Sequence, residues 1–221
     1  MSEVIKSLAA AGWVRCPSDA LLTEEAISAM LGPPKLNMRG LAYTELLSYE
    51  AHLAPRNSMS SFVGRGQQPY HTDEAFVPVP PRYVVLQCVN PGEVPCPTQL
   101  MALDLASLCV DRPSRLTNQS WVVKGGGLPP FYAQILNVGS KGAFVRFDPC
   151  CMRAVSSEQS HVSEALDTIR DYATDVTVYL ERNEILIIDN WRCLHRRADS
   201  SRSPSRHLRR SLRGGGVGLV R

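Results

Sequence analysis

Ile185-Leu186-Ile187-Ile188-Asp189-Asn190-Trp191-Arg192-Cys193-Leu194-His195 is the stretch on which the chain turns. An apolar run of strand formers delivers an Asp-Asn turn, and the turn is followed within a few residues by an imidazole. Asp189 and Asn190 suit the task of fixing that turn and presenting His195. Upstream, Val176–Leu180 reads as a further strand, joined through a polar turn at residues 181–184. Downstream, a Ser/Arg loop at residues 199–205 leads to a strand-like stretch over residues 206–212.

Working outward, the β texture begins near Tyr70. Tyr83–Val89, Gln99–Leu103, Trp121–Lys124, Phe131–Asn137 and Ala143–Phe147 read as strands, separated by Gly and Pro turns at residues 125–127, 129–130 and 139–142. Residues 40–47 read as another strand and residues 58–68 as a polar loop. Three helices are expected. One spans residues 23–31, capped by Thr23 and stopped by Gly32. A short one follows Asp104. The third carries Val162, Ala165, Leu166, Ile169 and Tyr172 at helical spacing, with Ser160 or Ser163 as cap. Many short strands without βαβ alternation predict a mostly β domain, a sandwich or barrel with flanking helices.

The composition agrees. The chain has 221 residues, 44% hydrophobic and 20% charged, enough for one sizeable core and too apolar for a disordered chain. No apolar run approaches the length of a membrane span, and the N-terminus shows no secretory signal, so a cytoplasmic protein without membrane partners is expected. Seven cysteines without a C-x-x-C pair are expected to be free, mostly buried thiols. The net charge of +3 hides an asymmetry. Residues 192–221 hold nine arginines against one acid, a net +8, while the other 191 residues carry 15 basic and 20 acidic groups, a net −5. Such polarity predicts an anionic partner near the C-terminus. Most of these arginines are expected to be solvated.

A second focus is Pro69-Tyr70-His71-Thr72-Asp73-Glu74-Ala75-Phe76. In an extended segment His71 and Asp73 point to one side. An H-x-D pair alone recurs by chance, but His195 would complete two imidazoles and a carboxylate. That set covers one face of an octahedron and leaves three sites open, as in non-haem Fe(II) oxygenases; zinc would need only one more ligand, so the triad alone does not name the metal.

These pieces, in this order, resemble the Fe(II)/2-oxoglutarate-dependent dioxygenases of the taurine dioxygenase and clavaminate synthase group. The resemblance runs from Tyr70 to Leu212. It rests on His71-Thr72-Asp73 with Phe76 and Pro80-Pro81, then Pro97-Thr98-Gln99-Leu100, then Asp189-Asn190 ahead of His195, and last Arg206-His207-Leu208. It implies a double-stranded β-helix (jelly-roll, cupin-like) core. Residues 1–221 form a single domain, with an N-terminal helix and flanking elements over 1–69 and the catalytic core over 70–213. His71, Asp73 and His195 match the metal ligands, and Thr98 and Arg206 match the residues that hold 2-oxoglutarate. Arg209 competes for the anchor role, but strand alternation favours Arg206 and Arg210 as the inward pair.

The reaction so implied uses Fe(II), O2 and 2-oxoglutarate. It hydroxylates, desaturates or cyclises at an unactivated C–H and releases succinate and CO2. Arg210 and Gln67 are the substrate-binding candidates, with Arg146 behind them, and they suit a small anionic or zwitterionic substrate such as an amino acid. Tyr70, Phe76 and Trp191 are expected to pack rather than stack on substrate. The chain departs from the group in carrying Asn183-Glu184 where Gly-Asp is usual and Arg196 after the last ligand, and in its short length. Two rival readings are a basic β domain that binds nucleic acid without catalysis, and a metal-dependent β-barrel hydrolase or isomerase.

Overall fold

The computed structural model describes residues 3–17, 22–37, 39–56, 58–140, 142–155 and 161–214. In chain order its strands are β1 (Trp13–Cys16), β2 (Thr44–Leu47), β3 (Tyr83–Asn90), β4 (Thr98–Leu103), β5 (Trp121–Val123), β6 (Phe131–Ala133), β7 (Leu136–Gly139), β8 (Gly142–Val145), β9 (Met152–Ala154), β10 (Ala173–Val178), β11 (Ile185–Asp189), β12 (Cys193–Arg197) and β13 (His207–Arg213). The helices are α1 (Glu3–Ala11), α2 (Glu24–Leu31), α3 (Met59–Val63), α4 (Leu105–Asp111), α5 (Ser114–Thr117) and α6 (His161–Arg170).

Ile185–Asp189 lies inside a five-stranded antiparallel sheet of order β1-β11-β3-β13-β2, facing a three-stranded sheet of order β10-β4-β12. Side-chain alternation explains why β11 is apolar throughout. Leu186 and Ile188 join Val84, Leu86, Leu100, Cys193 and Leu208 in the core between the two sheets. Ile185 and Ile187 face the other way, where Leu8 of α1 and Ile27 and Leu31 of α2 cover them. The minor sheet is buried twice in the same manner. Leu100 and Cys193 point inward, while Met101, Leu103 and Leu194 pack outward against Leu108, Leu116, Ala165 and Ile169 of α4, α5 and α6. Two facing antiparallel sheets with helices on their outer faces make the jelly-roll core expected from the sequence.

Local signals located three of the six described helices, α2, α4 and α6; α1 and α5 were not expected. Thr23 caps α2 through a hydrogen bond from the Ala26 N–H, and Asp104 caps α4 through the Ser107 N–H. For α6, Ser160 lies outside the described residues and Ser163 sits within the helix instead of capping it. Residues 58–68 are not simply a loop: Met59–Val63 forms α3. The stretch expected as one strand over residues 131–137 breaks into β6 and β7, which belong to different sheets. The division at residue 69/70 also does not separate flanking elements from the core sheet, because β1 pairs with β11 and β2 with β13. At the departure noted in the turn before β11, Asn183 adopts φ 68°, a left-handed conformation that asparagine tolerates. The adjoining Glu184 is buried and held by Arg15 at 2.7 Å.

Candidate functional site

His195 sits on the inward face of β12, in line with Cys193, so strand alternation aims its imidazole between the sheets. The segment that carries His71 and Asp73 is not a strand. His71 makes a single antiparallel bridge to His195, with N···O distances of 3.0 Å in both directions. Thr72 is buried and docks on the neighbouring chain: its N–H reaches Phe147 O at 2.7 Å and its Oγ1 donates to Val145 O at 3.1 Å. The chain then turns, and Asn190 grips the backbone of Asp73. The Asn190 side chain accepts from Asp73 N–H at 2.8 Å and donates to Asp73 O at 3.1 Å and Pro81 O at 2.8 Å. Asp189 does hold the turn, accepting from Trp191 N–H at 3.2 Å, but Asn190 positions a ligand segment far away in sequence. Glu74 follows with φ 52°, tied to Lys35 at 2.5 Å.

The ligand atoms of His71, Asp73 and His195 all lie within 4.8 Å of one another, and all three residues are buried. The His71 Nδ1 is 3.1 Å from Pro69 O, so Nδ1–H donates there and Nε2 is left free as a ligand atom. Burial, and then the adjacent His195, push the His71 imidazole below its ordinary pKa, toward the neutral form a metal needs. Burial alone would raise the Asp73 carboxyl. The Arg210 guanidinium and the two imidazoles outweigh it and hold Asp73 well below the usual carboxylate range. Asp73 Oδ2 takes no hydrogen bond although buried, and it lies 3.4 Å from His195 Nε2. Two imidazoles and a charged carboxylate with one orphaned buried oxygen fit a divalent cation with open coordination positions.

The triad opens on a cavity of about 360 Å³. Thr98 and Arg206 line it together, as the sequence suggested: Arg206 donates to Cys96 O at 3.0 Å and to Thr98 Oγ1 at 3.3 Å. Arg206 is 6% exposed, and among the described residues no carboxylate pairs with it. A guanidinium stays charged, so a buried cation facing a cavity with only neutral partners is a built site for an anion. Arg209 points to the opposite face, onto Glu45 at 3.2 Å and over the Tyr43 ring, and does not line the cavity. Arg210 does face the cavity, with its guanidinium on Asp73 Oδ1.

Two substrate candidates are corrected. Gln67 does not line the cavity; its amide turns to Gln99 at 3.1 Å, and Gln68 lines it instead. Gln68 and His71 both face the cavity although three residues apart, so strict alternation fails in this segment. Arg146 is 1% exposed and donates to the carbonyls of Ala75, Val77 and Pro78, shaping the loop behind Asp73. Phe76 lines the cavity from that loop. A side chain on Gly126 (φ 58°) would fall 2.3 Å from the Phe76 ring, so only glycine lets the two approach. Tyr70 and Trp191 are buried packing residues, as expected.

The basic end of the chain is not a solvated patch. Of its eight described arginines, seven make hydrogen bonds within the protein. Arg192 caps the carbonyls of Leu8 and Ala9, Arg197 those of Gly64 and Gly66, and Arg213 forks onto Glu24. Arg196 reaches Gln99 at 2.8 Å and stacks on Tyr70, while Arg202 is exposed. Asp148 also lines the cavity. It accepts from Cys150 N–H at 2.8 Å, and among the described residues no cation pairs with it.

Residues 129–212 match the family model described as taurine catabolism dioxygenase TauD, TfdA family. The chain is similar in structure to non-heme iron oxygenase OrfP, solved with Fe, succinate and (3S)-hydroxy-L-Arg. The TM-score is 0.63 at 19% identity, over 86% of this chain and 65% of that one. It is similar to an asparagine oxygenase solved with Fe(II), 2S,3S-3-hydroxyasparagine and succinate, with TM-score 0.66, 17% identity, and 94% and 77% of the two chains covered. A taurine dioxygenase from Burkholderia xenovorans gives TM-score 0.68 at 20% identity, over 97% and 82%. The chain thus spans somewhat less than two thirds of the length of OrfP. No curated protein matches it. The jelly-roll fold and the resemblance drawn from the motifs are both borne out.

Proposed function

We propose that this chain is an Fe(II)- and 2-oxoglutarate-dependent oxygenase of the taurine dioxygenase group, a single catalytic domain over residues 1–221 that oxidises an unactivated C–H of a small amino-acid-like substrate. The observation that carries the reading is a juxtaposition. A buried His71-Asp73-His195 set and a buried, acid-free Arg206 line one cavity. A facial metal site and a carboxylate anchor are the two things 2-oxoglutarate needs at its two ends.

Bound iron, with 2-oxoglutarate and O2, supplies an oxidant for the C–H bond and yields the hydroxylated product, succinate and CO2. The protein's own residues bind, orient and exclude water. His71, Asp73 and His195 would hold the metal. Arg206 and Thr98 would take the distal carboxylate, the guanidinium by charge and the hydroxyl by a further hydrogen bond. No acid–base pair or nucleophile is called for.

An amino-acid-like substrate is supported by two further charges that line the cavity. Arg210, paired with Asp73, carries a cation suited to a carboxylate, and Asp148, with no cation partner among the described residues, carries a carboxylate suited to an ammonium group. The hydroxylated amino acids bound by the OrfP and asparagine oxygenase structures agree in chemistry. No helix among the described residues is long and apolar enough to cross a membrane. The seven free cysteines support a reducing, cytoplasmic setting. Seven of the eight described arginines that suggested nucleic-acid binding are engaged within the protein, which supports the small-molecule reading over that one.

The test is succinate formation from 2-oxoglutarate with Fe(II) and O2. Wild type should produce succinate and His71→Ala none; turnover retained by His71→Ala would remove the triad assignment.

A further inference from the structure

Arg210 has a contact that substrate binding alone does not explain. It is on the inward face of β13, and its guanidinium donates to Asp73 Oδ1, a carboxylate 5% exposed in its side chain. Its own Nε is buried without a partner, so the side chain is not fully satisfied where it lies. The neighbouring acid is held in the same way: Lys35 reaches Glu74 from a segment laced to β13 by the Lys35 N–H on Leu212 O at 2.7 Å. β13 and the segment beside it therefore deliver two cations onto consecutive acids of the ligand loop.

We propose that Arg210 is a counter-ion whose charge opposes the metal at Asp73: it holds Oδ1 while Oδ2 faces the imidazoles, so a dication on Oδ2 repels the guanidinium and weakens its hold on the carboxylate. This rests on the triad reading above. A carboxylate buried between imidazoles needs a positive partner, and Arg210 supplies one. A dication arriving at Asp73 meets that guanidinium at close range in a site of low polarisability, where like charges repel strongly. The two cations therefore bind Asp73 with negative coupling. By linkage, anything that draws Arg210 away strengthens the metal site, and the metal makes Arg210 available to a substrate anion. Metal first and substrate anion second is the order this geometry favours. Arg210 acts on the metal through Asp73, and its effect on affinity has the opposite sign to that of a residue that merely holds Asp73 in place.

The test is Mn(II) binding, followed through the electron paramagnetic resonance signal of the free ion, in wild type, Arg210→Met and Arg210→Lys. Arg210→Met keeps an unbranched stem and removes the charge, and it should bind Mn(II) about tenfold more tightly. Arg210→Lys keeps the charge and should stay near wild type, which also guards against a folding defect in the methionine variant. Equal or weaker binding by Arg210→Met, or tightening by both variants alike, overturns the proposal and leaves the triad standing. Absence of Mn(II) binding in all three proteins overturns the proposal together with the metal site.

Discussion

At the scale of single residues, Arg206 is the side chain whose removal should cost most in cosubstrate binding. It is a buried guanidinium with Cys96 O and Thr98 Oγ1 as its protein partners. Hydrogen bonds to charged groups contribute ~1.5–3 kcal/mol each. Arg206→Ala should therefore raise the KM for 2-oxoglutarate about a hundredfold, and Thr98→Val about three- to tenfold. Arg209→Ala, on the opposite face, should leave it unchanged. An Arg209→Ala defect as large as that of Arg206→Ala would reverse the assignment. That Arg206 and Arg210 share the cavity face was legible in the sequence, because side chains four apart in a strand lie on one side. The fate of Arg146 was not. A cation buried against three carbonyls looks, in sequence, like any other arginine in a β segment.

At the scale of elements, the ligand loop depends on Asn190. Three of its hydrogen bonds hold the backbone of Asp73 and Pro81, and it is wholly buried. Asn190→Ala leaves Asp73 N–H and two carbonyls without partners, at ~1–3 kcal/mol for each buried group left unpaired. We expect a loss of about 3 kcal/mol in urea denaturation, together with weaker Mn(II) binding. Loss of stability with metal affinity intact would show that Asn190 serves the fold alone. The Asp189-Asn190 turn was visible in sequence, and its role in presenting His195 was inferable. Its grip on Asp73, 117 residues away, was not, because such a contact follows from topology and leaves no local signal. The opposite held for the helices: α2 and α4 were readable from their caps, which are local interactions. Met59–Val63 was missed because a helix of five residues leaves no periodicity to detect. Period-two reasoning placed His71 and Asp73 together for the wrong reason. One bridge, one docked threonine and one turn do what a strand was expected to do.

At the scale of the whole molecule, the charge asymmetry changes meaning. The basic C-terminal segment reads as a nucleic-acid patch by composition, yet β12 and β13 weave its arginines into helix ends, loops and the cavity. Composition shows where charge lies along the chain, not which carbonyls and carboxylates the fold brings to it. The buried triad also sets a pH dependence. His71 has a lowered folded pKa, so its contribution to stability is full above its ordinary value of 6.5 and falls away as the pH drops below it. Asp73, also lowered, adds a contribution that is full above 3.8 and is lost in stronger acid. Thermal or urea unfolding of the metal-free protein should thus show stability declining from about pH 6.5 downward, with a further decline below about pH 4. A His71→Phe protein should lose the first of these steps. Stability that rises between pH 7 and pH 5 in the wild type would contradict the burial of a neutral His71.

The central claim is that one cavity holds both a metal and 2-oxoglutarate, and an anaerobic titration addresses it most directly. Fe(II) added to the protein should bind without colour, and 2-oxoglutarate added next should produce a weak visible charge-transfer band. That band should be absent in His71→Ala and should need far more 2-oxoglutarate in Arg206→Ala. No band in the wild type at saturating Fe(II) and 2-oxoglutarate, or an equal band in the His71→Ala protein, would contradict the account.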